Sequence, residues 1–260
     1  MKITARGLSN LNTSFKGWLE GDRIQPFFDE FNIKFAVGHW CAGDFADRFA
    51  PDGYHANDPS FRNDVIGQIE RVHRTGVRAI EFHERVFIDR NYRKDPAKIR
   101  EVKDALKRHG MYCNNMNINS WSDPKWKLGS VCNPDPAIRR DAHALLEQAA
   151  EIAAELGAPT VAFWPGSDGW DYHFQVHYGK TLEWYIAGCT TLARAAKKRG
   201  IKAATEPKMH EPREMNMVIN TVAKAALVCQ QVNKAVGGPV MGVNIDYGHE
   251  QMANNTPADS

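Results

Sequence analysis

The 260-residue sequence predicts an α/β fold, a (β/α)8 TIM barrel of which about six β/α units lie within the chain. Three observations carry this expectation. Short β-prone segments alternate with longer stretches whose apolar residues recur near every 3.6 positions. Four of those stretches close on a glycine just before the next β-prone run, at Gly76, Gly110, Gly157 and Gly200; a left-handed residue ends a helix there. Every β-prone run also finishes in residues unsuited to a core: Trp40, His83-Glu84, Asn117, Trp164, Glu206 with Lys208, and Asp246. A barrel assembles its site from those strand ends. An open sheet would gather them at one switch point beside a glycine-rich phosphate turn, and neither GxGxxG nor GxxxxGK(S/T) occurs.

Taken in order, residues 1–33 precede the first strand and are expected to form an extension packed on the barrel, which occupies 34–260. The strands are expected at Lys34–Trp40 (KFAVGHW), Ala79–Glu84 (AIEFHE), Met111–Asn117 (MYCNNMN), Thr160–Gly166 (TVAFWPG), Lys202–Lys208 (KAATEPK) and Val240–Asp246 (VMGVNID). The clearest helix is Pro136–Leu156, where Ile138, Ala142, Leu145, Leu146, Ala149, Ile152 and Leu156 form one stripe. The charged run Arg90–Lys103 reads as a solvated helix face. Near the C-terminus Asp259 or Ser260 has the character of a helix cap with nothing after it. The chain therefore reads as a barrel cut off two units early.

Composition narrows the function. Hydrophobic residues make up 43% and charged residues 25%, the balance of a globular domain with a real core. The net charge of +2 comes from scattered bases, which argues against nucleic acid or an anionic membrane as partner. No apolar run approaches the ~20 residues of a membrane span. Five cysteines at 41, 113, 132, 189 and 229 show no CxxC pair, so no zinc site or disulfide framework is expected, and a reducing cytoplasm is.

The stretch Thr205–Pro212 (TEPKMHEP) carries the densest chemistry. Proline biases the residue before it toward extended geometry, so Glu206 is held in strand form, and alternation points Glu206 and Lys208 to the same side. They either pair with each other or face the barrel mouth. In Asn244–Met252 (NIDYGHEQM), Asp246 ends the sixth strand and His249 follows a glycine turn. Asp246, His249 and Glu206 can reach one ion, or stand as a solvated turn. Oxygen ligands plus one imidazole suit Mg2+, Mn2+ or Co2+ better than structural zinc. His249-Glu250 is not HExxH, because Ala253 stands where the second histidine would be.

Phe163-Trp164-Pro165-Gly166, Glu206-Pro207-Lys208 with Glu211-Pro212-Arg213, and Gly242–Met252 together resemble the xylose isomerase family, as do Phe35–Trp40, Phe82-His83 and Lys127-Leu128-Gly129 with Asp135 and Arg139–Ala142. The likeness runs from about residue 34 to about 252. The resemblance implies two divalent cations and interconversion of an aldose and a ketose by hydride shift. It implies Glu206, Asp246 and His249 as metal ligands, Lys208 polarising the carbonyl oxygen, and His83 assisting ring opening. Trp40 and Trp164 become apolar walls, and Asn117 a more polar substrate contact where the family wall is aromatic. Phe45 and Phe49 would reach a neighbouring subunit's site. A homo-oligomer is implied for the full-length protein, with a small sugar as substrate. Asp246 departs from the family's glutamate, and Val86 replaces the carboxylate that usually orients the strand-two histidine; Glu84 would point to the other face.

Two other readings compete: a sugar epimerase working by proton abstraction on the same barrel, and an inactive truncated copy that binds sugar without turnover. A metal-dependent endonuclease would want more strand-end histidines and a basic groove. His173 and His177 read as loop residues lining the sugar pocket. Trp121, Trp126 and Trp170 either stack on a ring or cover the barrel mouth.

Overall fold

The structure is a computed structural model that describes residues 21–44, 60, 62–210 and 216–256. Phe45, Phe49, Glu211-Pro212-Arg213, Asp259, Ser260 and the first twenty residues of the N-terminal extension lie outside the described residues. The chain divides into two units, Met1–Phe35 and Ala36–Ser260. In the first, one helix spans Ile24–Phe31 and stops at Asn32 in the left-handed region. The Phe27 and Phe31 rings lie 4.9 Å apart, and Phe28 meets Phe35 edge-on at 5.1 Å.

The second unit winds six strands into one parallel sheet: β1 (Ala36–Gly38), β2 (Ala79–His83), β3 (Tyr112–Ile118), β4 (Thr160–Phe163), β5 (Lys202–Thr205) and β6 (Met241–Val243). Each lies beside its neighbour in sequence. Helices follow them: α1 (Val65–Arg74), α2 (Pro96–Arg108), α3 (Pro136–Leu156), α4 (Tyr178–Lys198), α5 (Val222–Val236) and the short α6 (Tyr247–Met252). Sequential, all-parallel order with a helix after every strand is the winding of a (β/α) barrel. All four expected joints are present, with φ between 60° and 86° at Gly76, Gly110, Gly157 and Gly200. The strands stop one to three residues short of several expected ends, so Glu206, Lys208 and Asp246 stand on the loops at the mouth.

The core fills the space between sheet and helices. Ile80, Phe82, Met116, Ile118, Val161 and Phe163 point outward from the sheet and are buried against the α3 stripe of Ala142, Leu145, Leu146, Ala149, Ile152 and Leu156. Side chains on the other face alternate with these: Glu81 and His83, Asn115 and Asn117, Ala162, Ala204, Gly242 and Asn244. The lumen is thus small and polar where branched apolar side chains usually fill a barrel. A bulge fixes this pattern. Between Ile80 and Glu81 the β2–β3 register slips by one, so that Ile80 pairs with Cys113 but Glu81 pairs with Asn115 and His83 with Asn117. The extra residue turns Cys113 to the core and both asparagines to the lumen.

Among the described residues, no helix is long and apolar enough to cross a membrane. All five cysteines are free, four of them buried. Most of the Arg90–Lys103 run is solvated, but Lys94 departs from that expectation: it pairs with Glu151 and Glu155 of α3, because the turn Ile88–Lys94 folds it back over that helix.

Candidate functional site

At one side of the mouth two carboxylates and an imidazole converge. Glu206 continues the β5 ladder by donating its amide to the Phe163 carbonyl at 3.1 Å, and it is 8% exposed. Asn244, on the neighbouring loop, donates its side-chain amide to Glu206 Oε2. Asp246 is the N-cap of α6: its Oδ1 accepts from the Gly248 and His249 amides at 2.7 and 3.2 Å. That cap leaves Oδ2 turned to His249 Nε2 at 3.4 Å. His249 Nδ1 lies 3.3 Å from Glu206 Oε1 and 3.1 Å from the Pro207 carbonyl. One ligand atom from each of Glu206, Asp246 and His249 falls within 4.8 Å of the others. The bond that starts the helix therefore also spaces the three candidate ligands.

The electrostatics ask for a cation. Burial pushes Glu206 up to about 7; Asn244 opposes this, Asp246 and Glu81 reinforce it, and the Lys208 ammonium pulls weakly the other way. A bound divalent ion would reverse the balance, since a buried carboxylate beside a second, half-exposed one and an imidazole is costly until a positive charge joins them. The donor set, mainly oxygen and within bonding reach of a common point, fits such an ion.

Opposite this centre runs a wall of rings. Trp40 stacks on His83 at 4.4 Å and 27°, Trp121 meets His83 edge-on at 5.4 Å, and Trp121 meets Trp164 at 4.5 Å. Trp164 then faces His249 at 6.5 Å, with Lys208 Nζ 5.2 Å above the Trp164 ring. Two glycines seat it. A Cβ at Gly38 would lie 2.4 Å from the Trp40 ring, and one at Gly166 would lie 2.6 Å from Trp121 Cβ. Gly166 is also left-handed, at φ 58°. His83 Nδ1 stands 3.2 Å from the Asn117 carbonyl. A carbonyl only accepts, so Nδ1 carries the proton and Nε2 keeps its lone pair. Burial lowers His83 to about 4, with the neighbouring His39 adding repulsion, so the ring is neutral at ordinary pH.

The loops behind the wall are tied at one buried carboxylate. Asp168 accepts from the Ser130 and Cys132 amides at 2.7 and 2.8 Å and from the Ser130 hydroxyl, while Val218 donates to its carbonyl at 3.0 Å. Burial pushes Asp168 up to about 6 against those donors.

All eight candidate residues fall on one arc: Trp40, His83, Asn117, Trp164, Glu206, Lys208, Asp246 and His249. Others follow different fates. Trp121 belongs to the wall, whereas Trp126 is fully buried in the core. His177 caps α4 through its Nδ1. It lines a separate cavity of about 400 Å³ with Trp170 and Trp184, which corrects its expected place in the sugar pocket. His173 is exposed. Glu84 points away from His83, fully buried, and accepts the Asn119 amide at 2.7 Å. Sequence reasoning missed Glu81 and Asn244. Each lies two residues before a candidate, on the same strand face, and that spacing was the available signal.

A family model described as xylose isomerase-like TIM barrel matches residues 69–260. Xylose isomerase of Thermus thermophilus is 26% identical over 225 residues, 85% of this chain and 56% of that protein. Its counterpart from Thermus caldophilus is 26% identical over 227 residues, with the same shares covered. The chain spans about half the length of these curated relatives. Among solved structures, D-psicose 3-epimerase in the presence of D-fructose superposes with a TM-score of 0.57 at 22% identity, over 75% of this chain and 62% of that one. D-psicose 3-epimerase with D-tagatose from Clostridium cellulolyticum H10 gives a TM-score of 0.61 at 17% identity, over 88% and 67%.

Proposed function

Because this chain belongs to the xylose isomerase-like TIM barrel family, we propose that it carries the site of a metal-dependent sugar isomerase interconverting an aldose and a ketose. The observation that carries the reading is the convergence of Glu206, Asp246 and His249 at the mouth, facing a wall of rings. One or two divalent cations, Mg2+, Mn2+ or Co2+, would bind there and polarise the oxygens of an open-chain sugar. Lys208, held over Trp164, supplies positive charge where the carbonyl oxygen becomes negative. The bare Nε2 of His83 takes a hydroxyl proton as the sugar ring opens. Trp40, Trp121 and Trp164 exclude water, which favours transfer of hydrogen between adjacent carbons without exchange.

A second reading, epimerisation through proton abstraction, draws on the same His83: a neutral imidazole with a free lone pair can take a carbon-bound proton. Turnover of a panel of aldoses and ketoses by the Mn2+-loaded chain in heavy water, followed by NMR, separates the two. The isomerase reading expects product free of solvent deuterium at the carbon beside the carbonyl. Deuterium at that carbon transfers the assignment to proton abstraction, and no turnover of any sugar removes the enzymatic reading.

A further inference from the structure

The surface around Trp170 and Trp184 plays no part in the reading above. A cavity of about 400 Å³ opens there, walled by the two indoles and edged by Lys127, Lys180 and Asp171. An apolar cavity of about 150 Å³ already holds a benzene ring, so this one has room for a phenylalanine side chain. Its walls are fixed in advance. Trp170 pairs antiparallel with Asn216, and its ring packs on Tyr178 at 4.9 Å. Arg139 lies over the Trp184 ring at 4.0 Å. A preformed space of this kind is typical of a binding site.

The chain beside the cavity exposes what such a space would take. Tyr172 and Phe174 are 70% and 90% exposed. Phe174 is flanked in sequence by Asp171 and Gln175, which line the cavity, while its own ring is turned to solvent. It also stands at φ 67°, a left-handed conformation that glycine or asparagine takes more readily than a bulky residue. The loop is nonetheless tied into that form. The Tyr178 hydroxyl accepts the Phe174 amide at 2.9 Å, and Gln175 Oε1 accepts from the Asp171 and Tyr172 amides. A strained backbone that displays an aromatic ring to water serves neither the core nor local preference.

The charges at the edge are also uncommitted. Lys127, Lys180 and Asp171 are exposed, and none of the three has an ion-pair partner among the described residues. One patch thus carries a projecting ring beside a hollow that fits it, and charges of both signs. A two-fold contact between identical surfaces requires that self-complementarity, because whatever one copy offers the other must accept. A different partner would need only one half of it.

We propose that this patch is a self-association interface: Phe174 of each copy enters the cavity between Trp170 and Trp184 of a second copy, and Asp171 of each faces Lys127 and Lys180 of the other. The desolvated ring supplies the affinity. The charge pairs fix the register. The interface is independent of the sugar site, so its failure would leave the proposed activity untouched.

Sedimentation velocity over a dilution series of the full chain tests this. The parent chain is expected to dimerise. Phe174→Asn should raise the dimer Kd by about thirtyfold or more, the loss of a central aromatic anchor. The same change relaxes the backbone, so melting of the dilute monomer should occur no lower than in the parent. Asp171→Lys and Lys180→Glu should each weaken self-association, and an equimolar mixture of the two should restore it, since each faces an opposite charge only in the mixed dimer. A parent chain that stays monomeric up to its solubility limit overturns the proposal. So does a dimer equally tight in Phe174→Asn, or a mixture of the charge variants no tighter than either alone.

Discussion

The two sides of the barrel mouth are built on different principles. The β5–β6 side is compact: its three candidate ligand residues come from two short windows, and a helix cap and a proline set their spacing. The β1–β4 side is dispersed. Trp40, His83, Trp121 and Trp164 come from four segments, meet through ring contacts of 4.4 to 5.4 Å, and depend on two glycines for room. A charged centre is specified by the donors it gathers, while an apolar wall is specified by what the backbone leaves space for. The contrast predicts that damage on one side reads out as lost metal affinity and damage on the other as lost turnover with the metal retained.

The largest effect is expected from Glu206→Gln or His249→Ala, each of which should weaken Mn2+ binding and lower turnover by about a thousandfold. Chelation offers the matching test on the unaltered chain. Metal at a hundred times its Kd adds about 2.7 kcal/mol of stability; calorimetric melting should show that increment vanish with EDTA and be absent in Glu206→Gln. His83→Ala should cut kcat by about 10²–10⁴-fold while isothermal titration finds Mn2+ affinity unchanged; a parallel loss of affinity would erase the contrast. Gly166→Ala forces a left-handed alanine against Trp121 and should destabilise the fold by about 1–3 kcal/mol in urea denaturation, again with metal affinity intact. The smallest effect is on titration. His83 should protonate near pH 4 by NMR, and His39→Asn should raise that midpoint by removing its neighbour's repulsion. Because the folded value lies below the ordinary 6.5, the stability tied to neutral His83 is complete above pH 6.5 and is lost as pH falls toward 4.

The same contrast explains what could be read from sequence. The strand order was legible because four of the helices close on a glycine that only that joint requires, and Gly76, Gly110, Gly157 and Gly200 all adopt the left-handed form. Glu206, Asp246 and His249 were legible because local rules place them: proline after the first, a cap between the other two. Trp121 was legible only as a residue that either stacks on a ring or covers the mouth, since its place against His83 and Trp164 depends on a loop returning past Gly166 from another segment. Glu81 read as an ordinary alternating strand residue, because the bulge that brings Asn115 to it as a partner is a property of two strands in register. Lys94 looked like one of many solvated bases until its turn brought it to Glu151 and Glu155.

The knot at Asp168 divides the rim into a fixed part and an exchangeable one. Segments from three successive crossovers end on that single residue, so they shift together or not at all. The stretch from Asp171 to His177 hangs outside the knot, with Tyr172 and Phe174 70% and 90% exposed. Cassette replacement of Asp171–Val176, which spares the His177 cap, would remodel the cavity beside Trp170 and Trp184 without disturbing the rings or the candidate ligands. Asp168→Asn, by contrast, would loosen all three crossovers in one step.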